Sequence, residues 1–379
     1  MLDADELITD AENAASSSDW GETPVRDALE MLCRSARDDR LEEPRVRALK
    51  SKVEQRLVQR LQVAKDRRAY PEIAQQEIKA PLVVTGLPRG GTTILHGVLS
   101  RDPWVRSPLR WELDEPSPPP RAEHMHDDPR LLAARERIAK VDPALMALHT
   151  MAADLPEEDQ MIFELVARSH NLGVFGTMPT YLEWLVFEAD MRPAYEFHRQ
   201  VLQHYQAFAP KAYWVLKTPL HLHWLDDLFA TYPDARVVVA HRDPAQTVPS
   251  HADYTTWYRS RLGPVDPFDA GRELFQEWGA AVDRLVDYRA RHPRPDQFID
   301  VNHVDFHRAP MAVIEAIYDK FAIELTDEAR SAMAAFMDDN RTGKHGGHTY
   351  TAEAAGLSKA QIRERFKRYI ETYDVPLAD

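Results

Sequence analysis

Two short stretches of this chain combine residue types that hold anionic oxygens. Residues 86–93 read Gly-Leu-Pro-Arg-Gly-Gly-Thr-Thr. Set against the nucleotide loop G-x-x-x-x-G-K-[ST], Gly86 takes the first position, Gly91 the sixth and Thr93 the last, and Thr92 stands where the lysine would be. Glycines let a backbone come close to a ligand, and a helix N-terminus adds N–H groups and a favourable dipole. The stretch suits phosphate-like oxygens, with Gly90, Gly91, Thr92 and Thr93 as the cradle. Arg89 supplies charge, because a planar guanidinium can take two oxygens of a phosphate or a sulfate. From Gly86 to Arg110 there are four arginines (89, 101, 106 and 110) and one acid, Asp102, so the region is locally basic. The alternative is a plain Gly-Pro turn between a strand and a helix. Strand, turn, arginine, paired glycines and paired threonines together favour the site.

Residues 237–250 read Val-Val-Val-Ala-His-Arg-Asp-Pro-Ala-Gln-Thr-Val-Pro-Ser. Arg242 follows a strand, which puts it at the edge where open parallel sheets bind ligands. Asp243 suits a helix N-cap and Pro244 a first helical position. Ser250 lies eight residues beyond Arg242. Its hydroxyl returns to the ligand edge only if the helix bends, and Pro249 offers a cause for a bend. His241-Arg242-Asp243 is also part of a protein-kinase catalytic loop. That match fails, because the required asparagine would fall at Val248 and no D-F-G follows.

The elements that must position these residues are strands alternating with helices. Residues 81–86, 213–217, 236–240 and 298–301 are short apolar runs rich in β-branched side chains, read as buried strands. Helical patterns separate them, so the sheet should be parallel with helices on both faces. Residues 1–79 read as helical, with Ser17 and Ser18 as caps. Leu49, Val53, Leu57 and Leu61 form one apolar stripe there. Residues 107–120 read as a proline-rich loop, and 127–210 as helices broken by Pro143, Pro156, Pro179 and Pro193. The expected class is α/β: a P-loop-type parallel sheet flanked by helices, with an N-terminal helical arm (1–79) and an α/β domain (80–379) carrying a helical insert at 127–210.

Composition narrows the function. The 379 residues hold 47 Lys plus Arg against 61 Asp plus Glu, a net charge of −14, which argues against broad binding of nucleic acid or anionic membranes. No apolar run reaches the roughly 18 residues of a membrane helix. The acidic first residues lack a signal-peptide pattern. One cysteine, Cys33, permits no internal disulfide or Cys-based zinc site, and a cytoplasmic location is expected. The pairs His124/His126, His221/His223 and His345/His348 are ordinary for a chain with 16 His, so no metal is expected.

Together the two anion stretches resemble the sulfotransferases that use 3′-phosphoadenosine 5′-phosphosulfate (PAPS). In that family a P-R/K-x-G-T-T loop binds the 5′-phosphosulfate, and an arginine after a strand with a serine eight residues later binds the 3′-phosphate. Residues 88–93 match the first, and Arg242 with Ser250 match the second. The chain is most similar to a bacterial group with L-P-R-x-G-T-T, W-E, L-K-[ST]-P-x-H, H-R-D-P and K-H-G-x-H. Here these stand at residues 87–93, at Trp111-Glu112, at 216–221, at 241–244 and at Lys344-His345-Gly346-Gly347-His348. The resemblance covers residue 80 to the end. Gly90 departs from it, standing where the family often has Ser or Thr.

Sulfuryl transfer is an in-line displacement at sulfur that needs a base and positive charge on the leaving phosphate, and no metal. Glu112 is the chosen base: it follows the first helix after a short loop, and related enzymes place a glutamate at about this distance. Lys217 ends a strand at the same sheet edge, and the resemblance implies that it stabilises the leaving group. His221 is the alternative base, since other branches use histidine. The resemblance also implies that Lys344 closes near the 3′-phosphate. Tyr181, Trp184, Phe187, Phe197, Tyr205 and Phe208 are core aromatics or line an apolar acceptor pocket. The expected activity is PAPS-dependent transfer to a hydroxyl or amine of a small molecule. The rivals are a small-molecule or nucleoside kinase using Mg-ATP, disfavoured by Thr92, and a nucleotide-binding protein without catalysis.

Overall fold

The structure is a computed structural model that describes residues 2–141, 146, 151–340 and 350–378. Its chain divides into two compact units, one of residues 1–78, 108–210 and 257–265, the other of 79–107, 211–256 and 266–379.

The second unit holds the sheet. Its strands are β1 (Leu82–Gly86), β2 (Val105–Arg106), β3 (Tyr213–Lys217), β4 (Arg236–His241) and β5 (Phe298–Asn302). They lie in the order β2-β3-β1-β4-β5 and every pair is parallel. Central parallel strands are covered on both faces and so read as unbroken apolar runs. Leu82, Val83, Val84 and Val237, Val238, Val239 are accordingly all buried. Leu95, Val98 and Leu99 of the helix Thr92–Leu99, with Ile314, Ile317 and Phe321, pack onto Leu82, Val84, Val215, Val238 and Val301. Four of the strands match the expected runs to within a residue at each end. β2, at two residues, is too short to leave a pattern in sequence.

Register aligns the carboxyl ends. Gly86 pairs with Ala240, Val84 with Lys217, and His241 with Asn302. The chain places β3 on one side of β1 and β4 on the other, so β1 lies at the switch in strand order where such sheets form a ligand crevice.

The first unit is helical, with Ala4–Ala15, Arg26–Asp38, Glu43–Ala69, Pro129–Ile138, Pro179–Phe187 and Arg192–Gln206 as its longer members. The N-terminal helices and the segment 127–210 thus share one unit. Leu49, Val53, Leu57 and Leu61 form the buried stripe of Glu43–Ala69. Beside it Arg56 is also buried, its Nε 2.6 Å from Glu164. Burial alone would push the Glu164 carboxyl up, but Arg56 and Lys52 outweigh it and hold it down at about 2.

Three local expectations are corrected. Ser17 and Ser18 cap no helix N-terminus. The first helix ends at Ser16 in the left-handed region (φ 48°), and the next begins at Arg26 after Val25 with no side-chain cap. The proline-rich stretch 107–120 contains the short helix Arg110–Asp114. Pro179 and Pro193 sit in the first turns of helices, where a missing N–H costs nothing, rather than breaking them. Pro143 lies outside the described residues.

Candidate active site

The loop after β1 is built by backbone constraints. Gly86 has φ 141°, and a Cβ there would lie 2.3 Å from the carbonyl oxygen of Ala240. Only glycine lets β1 and β4 approach this closely at the point where the loop leaves the sheet. The amide of Gly90 then donates to the carbonyl of Leu87 at 3.0 Å, closing a turn in which Arg89 takes φ 64°. A Cβ on Gly90 would stand 2.7 Å from that same carbonyl. A side chain at this position would therefore make the turn shift. Gly91 (φ 95°) is the N-cap of Thr92–Leu99 and provides no side-chain acceptor for the first-turn amides. The result is a set of first-turn backbone N–H groups at a helix N-terminus, a cradle of the kind that can take an anion.

Around this cradle the second unit gathers most of the expected site. Arg89, the exposed residue of an otherwise largely buried loop, donates from Nε to Ser250 Oγ at 3.2 Å. Arg242 donates from Nη1 to the Arg89 carbonyl at 2.8 Å and from Nε to Gln246 Oε1 at 3.0 Å. Lys217 is buried, and its Nζ reaches Thr93 Oγ1 at 3.3 Å. The two anion stretches, about 150 residues apart in sequence, thus meet at one sheet edge. Ser250 arrives there within a helix, Pro244–Ser260, that runs through Pro249 without interruption.

Charge at this edge is left positive. Asp243, next to Arg242, is turned to structural work. One carboxylate oxygen caps the helix through the Ala245 amide at 2.9 Å, and the other takes Arg363 at 2.7 Å and the Ala378 amide at 2.9 Å. Burial lowers the Arg242 pKa and nearby Arg89 adds to that, while Tyr350 and Asp243 oppose it. A guanidinium so placed gains from a bound anion.

Sequence reading missed two residues here. Gln246 is found by the four-residue helical spacing from Arg242. His303 opens the short helix after β5, at the same carboxyl edge, and the Cβ that Gly91 lacks would sit 2.9 Å from its Nδ1. Burial, then Arg242 and His307, push the His303 pKa down to about 3, so it is neutral at ordinary pH. The sequence signal was its place directly after a strand of the ligand edge.

Glu112 belongs to the other unit. It is fully buried at the third position of Arg110–Asp114, and Oε2 accepts from the Leu109 amide at 2.9 Å. Tyr205 donates to its backbone carbonyl at 2.8 Å. Arg110, two residues before it, pairs with Asp114 at 3.0 Å and Glu157 at 3.3 Å. His221 is buried in the turn Pro219–His223, which Thr218 caps. Lys344 lies outside the described residues, as does the rest of its motif. Of the aromatics, Tyr181, Phe197 and Tyr205 are buried and Phe187 is exposed. The Tyr181 hydroxyl is committed to the backbone of Ala167 and Ser169.

The chain is similar to known proteins over most of its length. A family model described as "Sulfotransferase family" matches residues 81–327. The whole chain is similar to the crystal structure of sulfotransferase STF9 from Mycobacterium avium, at 27% identity and a TM-score of 0.91, over 100% of this chain and 98% of that one. It is also similar to sulfotransferase STF1 from Mycobacterium tuberculosis H37Rv, at 31% identity and a TM-score of 0.84, over 96% and 97% of the two chains. Among curated protein sequences none matches. The matched region begins just before β1 and takes in the glycine loop, Lys217, Arg242, Ser250 and His303, and on that match the chain belongs to the sulfotransferase family.

Proposed function

We propose that this sulfotransferase takes its sulfuryl group from PAPS and passes it to a hydroxyl or amine of a small molecule. The observation that carries the reading is the junction of Arg89, Ser250 and Arg242. A donor with anionic groups on the 5′ and 3′ oxygens of one ribose needs two neighbouring cationic sites at one edge of the sheet. The loop amides with Arg89, and Arg242 with Ser250, are two such sites. The residues fit the donor chemically: amides, hydroxyls and guanidinium groups, with the nearby Asp243 carboxylate occupied elsewhere.

In this reading Gly90, Gly91, Thr92, Thr93 and Arg89 hold the 5′-phosphosulfate. Arg242 and Ser250 hold the 3′-phosphate, and Lys344 assists there. The donor supplies an activated sulfuryl group. The acceptor oxygen or nitrogen bonds to sulfur as the bond from sulfur to the bridging oxygen breaks, leaving 3′-phosphoadenosine 5′-phosphate. Glu112 takes the acceptor proton. Lys217, beside Thr93, offsets negative charge on the departing phosphate, a kind of electrostatic assistance worth about 10²–10³ in rate. The kinase reading has less support, since Thr92 replaces the lysine that serves a terminal phosphate. None of the described helices is long and apolar enough to cross a membrane. A cytoplasmic location agrees with the single cysteine, whose thiol pKa is pushed up by burial to about 12, leaving it inert.

Calorimetric titration with 3′-phosphoadenosine 5′-phosphate, beside Mg-ATP, tests the reading. Tight binding of the bisphosphate without metal is expected. Binding of Mg-ATP in its place would overturn PAPS as donor.

A further inference from the structure

The last described residues of the chain lie beyond the region matched by the family model, yet they pack against the His-Arg-Asp motif. Tyr369 is buried in the helix Lys367–Thr372, and its hydroxyl lies 2.9 Å from His241 Nδ1. On the other side of the ring, His241 Nε2 is 2.8 Å from Asp300 Oδ1, which also receives Arg289 at 2.6 Å. Tyr373 stacks on the imidazole at 4.6 Å between centroids.

These contacts have a direction. Burial by itself would raise the Asp300 carboxyl pKa, but the bonds from His241 and Arg289 outweigh it and hold the group below its ordinary range. Asp300 is therefore ionised and accepts only, so Nε2 of His241 carries the proton. Burial raises the Tyr369 phenol, which keeps its proton, and its hydroxyl bonds to Nδ1. The ordered chain runs from Tyr369 to His241 to Asp300 and holds the imidazole of the residue that precedes Arg242, whose side chain spans Arg89 and Gln246. Arg363 and the Ala378 amide hold Asp243, one residue further on.

We propose that Tyr369 is a positioning residue for the donor's 3′-phosphate: through its hydroxyl on His241, the C-terminal segment 359–378 sets the position of the adjoining Arg242 and with it the affinity for that phosphate. The inference rests on Arg242 being the 3′-phosphate ligand. Tyr369→Phe deletes the hydroxyl alone.

The test compares 3′-phosphoadenosine 5′-phosphate with AMP, which lacks the 3′-phosphate, on wild type, Tyr369→Phe, Arg242→Ala and Arg365→Ala. Arg365 ties the same segment to Asp283 at 2.8 Å, away from the His-Arg-Asp motif, so its variant is the control. Tyr369→Phe should weaken the bisphosphate about tenfold and leave AMP unchanged, raising the donor KM with kcat and the acceptor KM intact. A Tyr369→Phe variant that melts lower but keeps the wild-type preference for the bisphosphate over AMP, while Arg242→Ala loses it, overturns this inference alone. Arg242→Ala with wild-type preference overturns the ligand assignment as well. Hydrogen exchange on the wild type needs no variant: residues 359–378 should be protected more by the bisphosphate than by AMP, because coupling is reciprocal. Equal protection would also overturn the proposal.

Discussion

Arg242 reaches across the sheet edge and donates from Nη1 to the backbone carbonyl of Arg89 at 2.8 Å. One arginine thus braces the loop that carries the other. The Arg89 backbone is in the left-handed region, φ 64°, which is unfavourable for a residue with a Cβ. Three contacts over-determine it: the Leu87–Gly90 turn, the Ser250 hydroxyl and Arg242. The two stretches proposed to hold the donor's anionic groups are consequently preorganised as a pair, so binding at one need not first order the other.

Arg242→Lys tests whether geometry as well as charge is used. Lysine keeps the charge but has no planar fork, so it cannot hold Gln246 and the Arg89 carbonyl together. Affinity for 3′-phosphoadenosine 5′-phosphate should fall about 10- to 100-fold, or roughly 1.4–2.8 kcal/mol, with AMP little affected. Calorimetry on both ligands reads this out, and undiminished affinity would reduce Arg242 to a point charge.

Gly91→Ala should cost stability at this edge for two separable reasons. The first is φ 95°, which strains any residue with a Cβ by about 1–3 kcal/mol. The second is the 2.9 Å approach to His303 Nδ1. Thermal melts should show a lower Tm in Gly91→Ala. Combining it with His303→Ala should return the contact part and leave the backbone part. A double variant whose losses simply add would mean that the imidazole does not press on the loop.

The sheet edge was legible because its chemistry is local. Gly86, Arg89 and Gly91 announce a loop by residue type, and Val237, Val238 and Val239 announce the strand that delivers Arg242. What escaped was set by tertiary contact. Two residues of β2 exist only because Val105 and Arg106 lie against Tyr213 and Trp214. The helix Arg110–Asp114 is hidden among prolines, and its Glu112 bonds to the Leu109 amide in a capping-box contact that is hard to read because leucine, not Ser or Thr, stands at the N-cap. Tyr369 is more than a hundred residues from His241, so sequence could not join them.

Acid should destabilise the fold well above the carboxylate range. His204 is fully buried, its Nε2 3.0 Å from the Pro116 carbonyl, and burial pushes its pKa down to about 3. The folded pKa lies below the unfolded one, near 6.5, so between them the unfolded chain binds more protons. The contribution is complete above about pH 6.5 and is lost as pH falls toward 3, at up to about 1.4 kcal/mol per pH unit. His303, also held to about 3, acts in the same direction. Denaturant titrations from about pH 7.5 to 4.5 should show this slope, shallower in His204→Gln. An identical slope in that variant would assign the acid sensitivity to other groups.

Glu112→Gln separates the base from a structural role. The substituted amide can still accept from the Leu109 N–H through its carbonyl oxygen, so the helix Arg110–Asp114 should survive and Tm should change little. A base that takes the acceptor proton contributes about 10²–10⁴ in rate. The variant should therefore bind 3′-phosphoadenosine 5′-phosphate as the wild type does, with kcat lowered by a factor in that range. Lys217→Met, placed on the leaving side, should also lower kcat, by about 10²–10³. The two are distinguished by acceptor acidity: with a more acidic acceptor the Glu112→Gln defect shrinks, because less proton abstraction is needed, while the Lys217→Met defect persists. If Glu112→Gln retains full kcat and His221→Asn abolishes it without loss of fold, the histidine is the base.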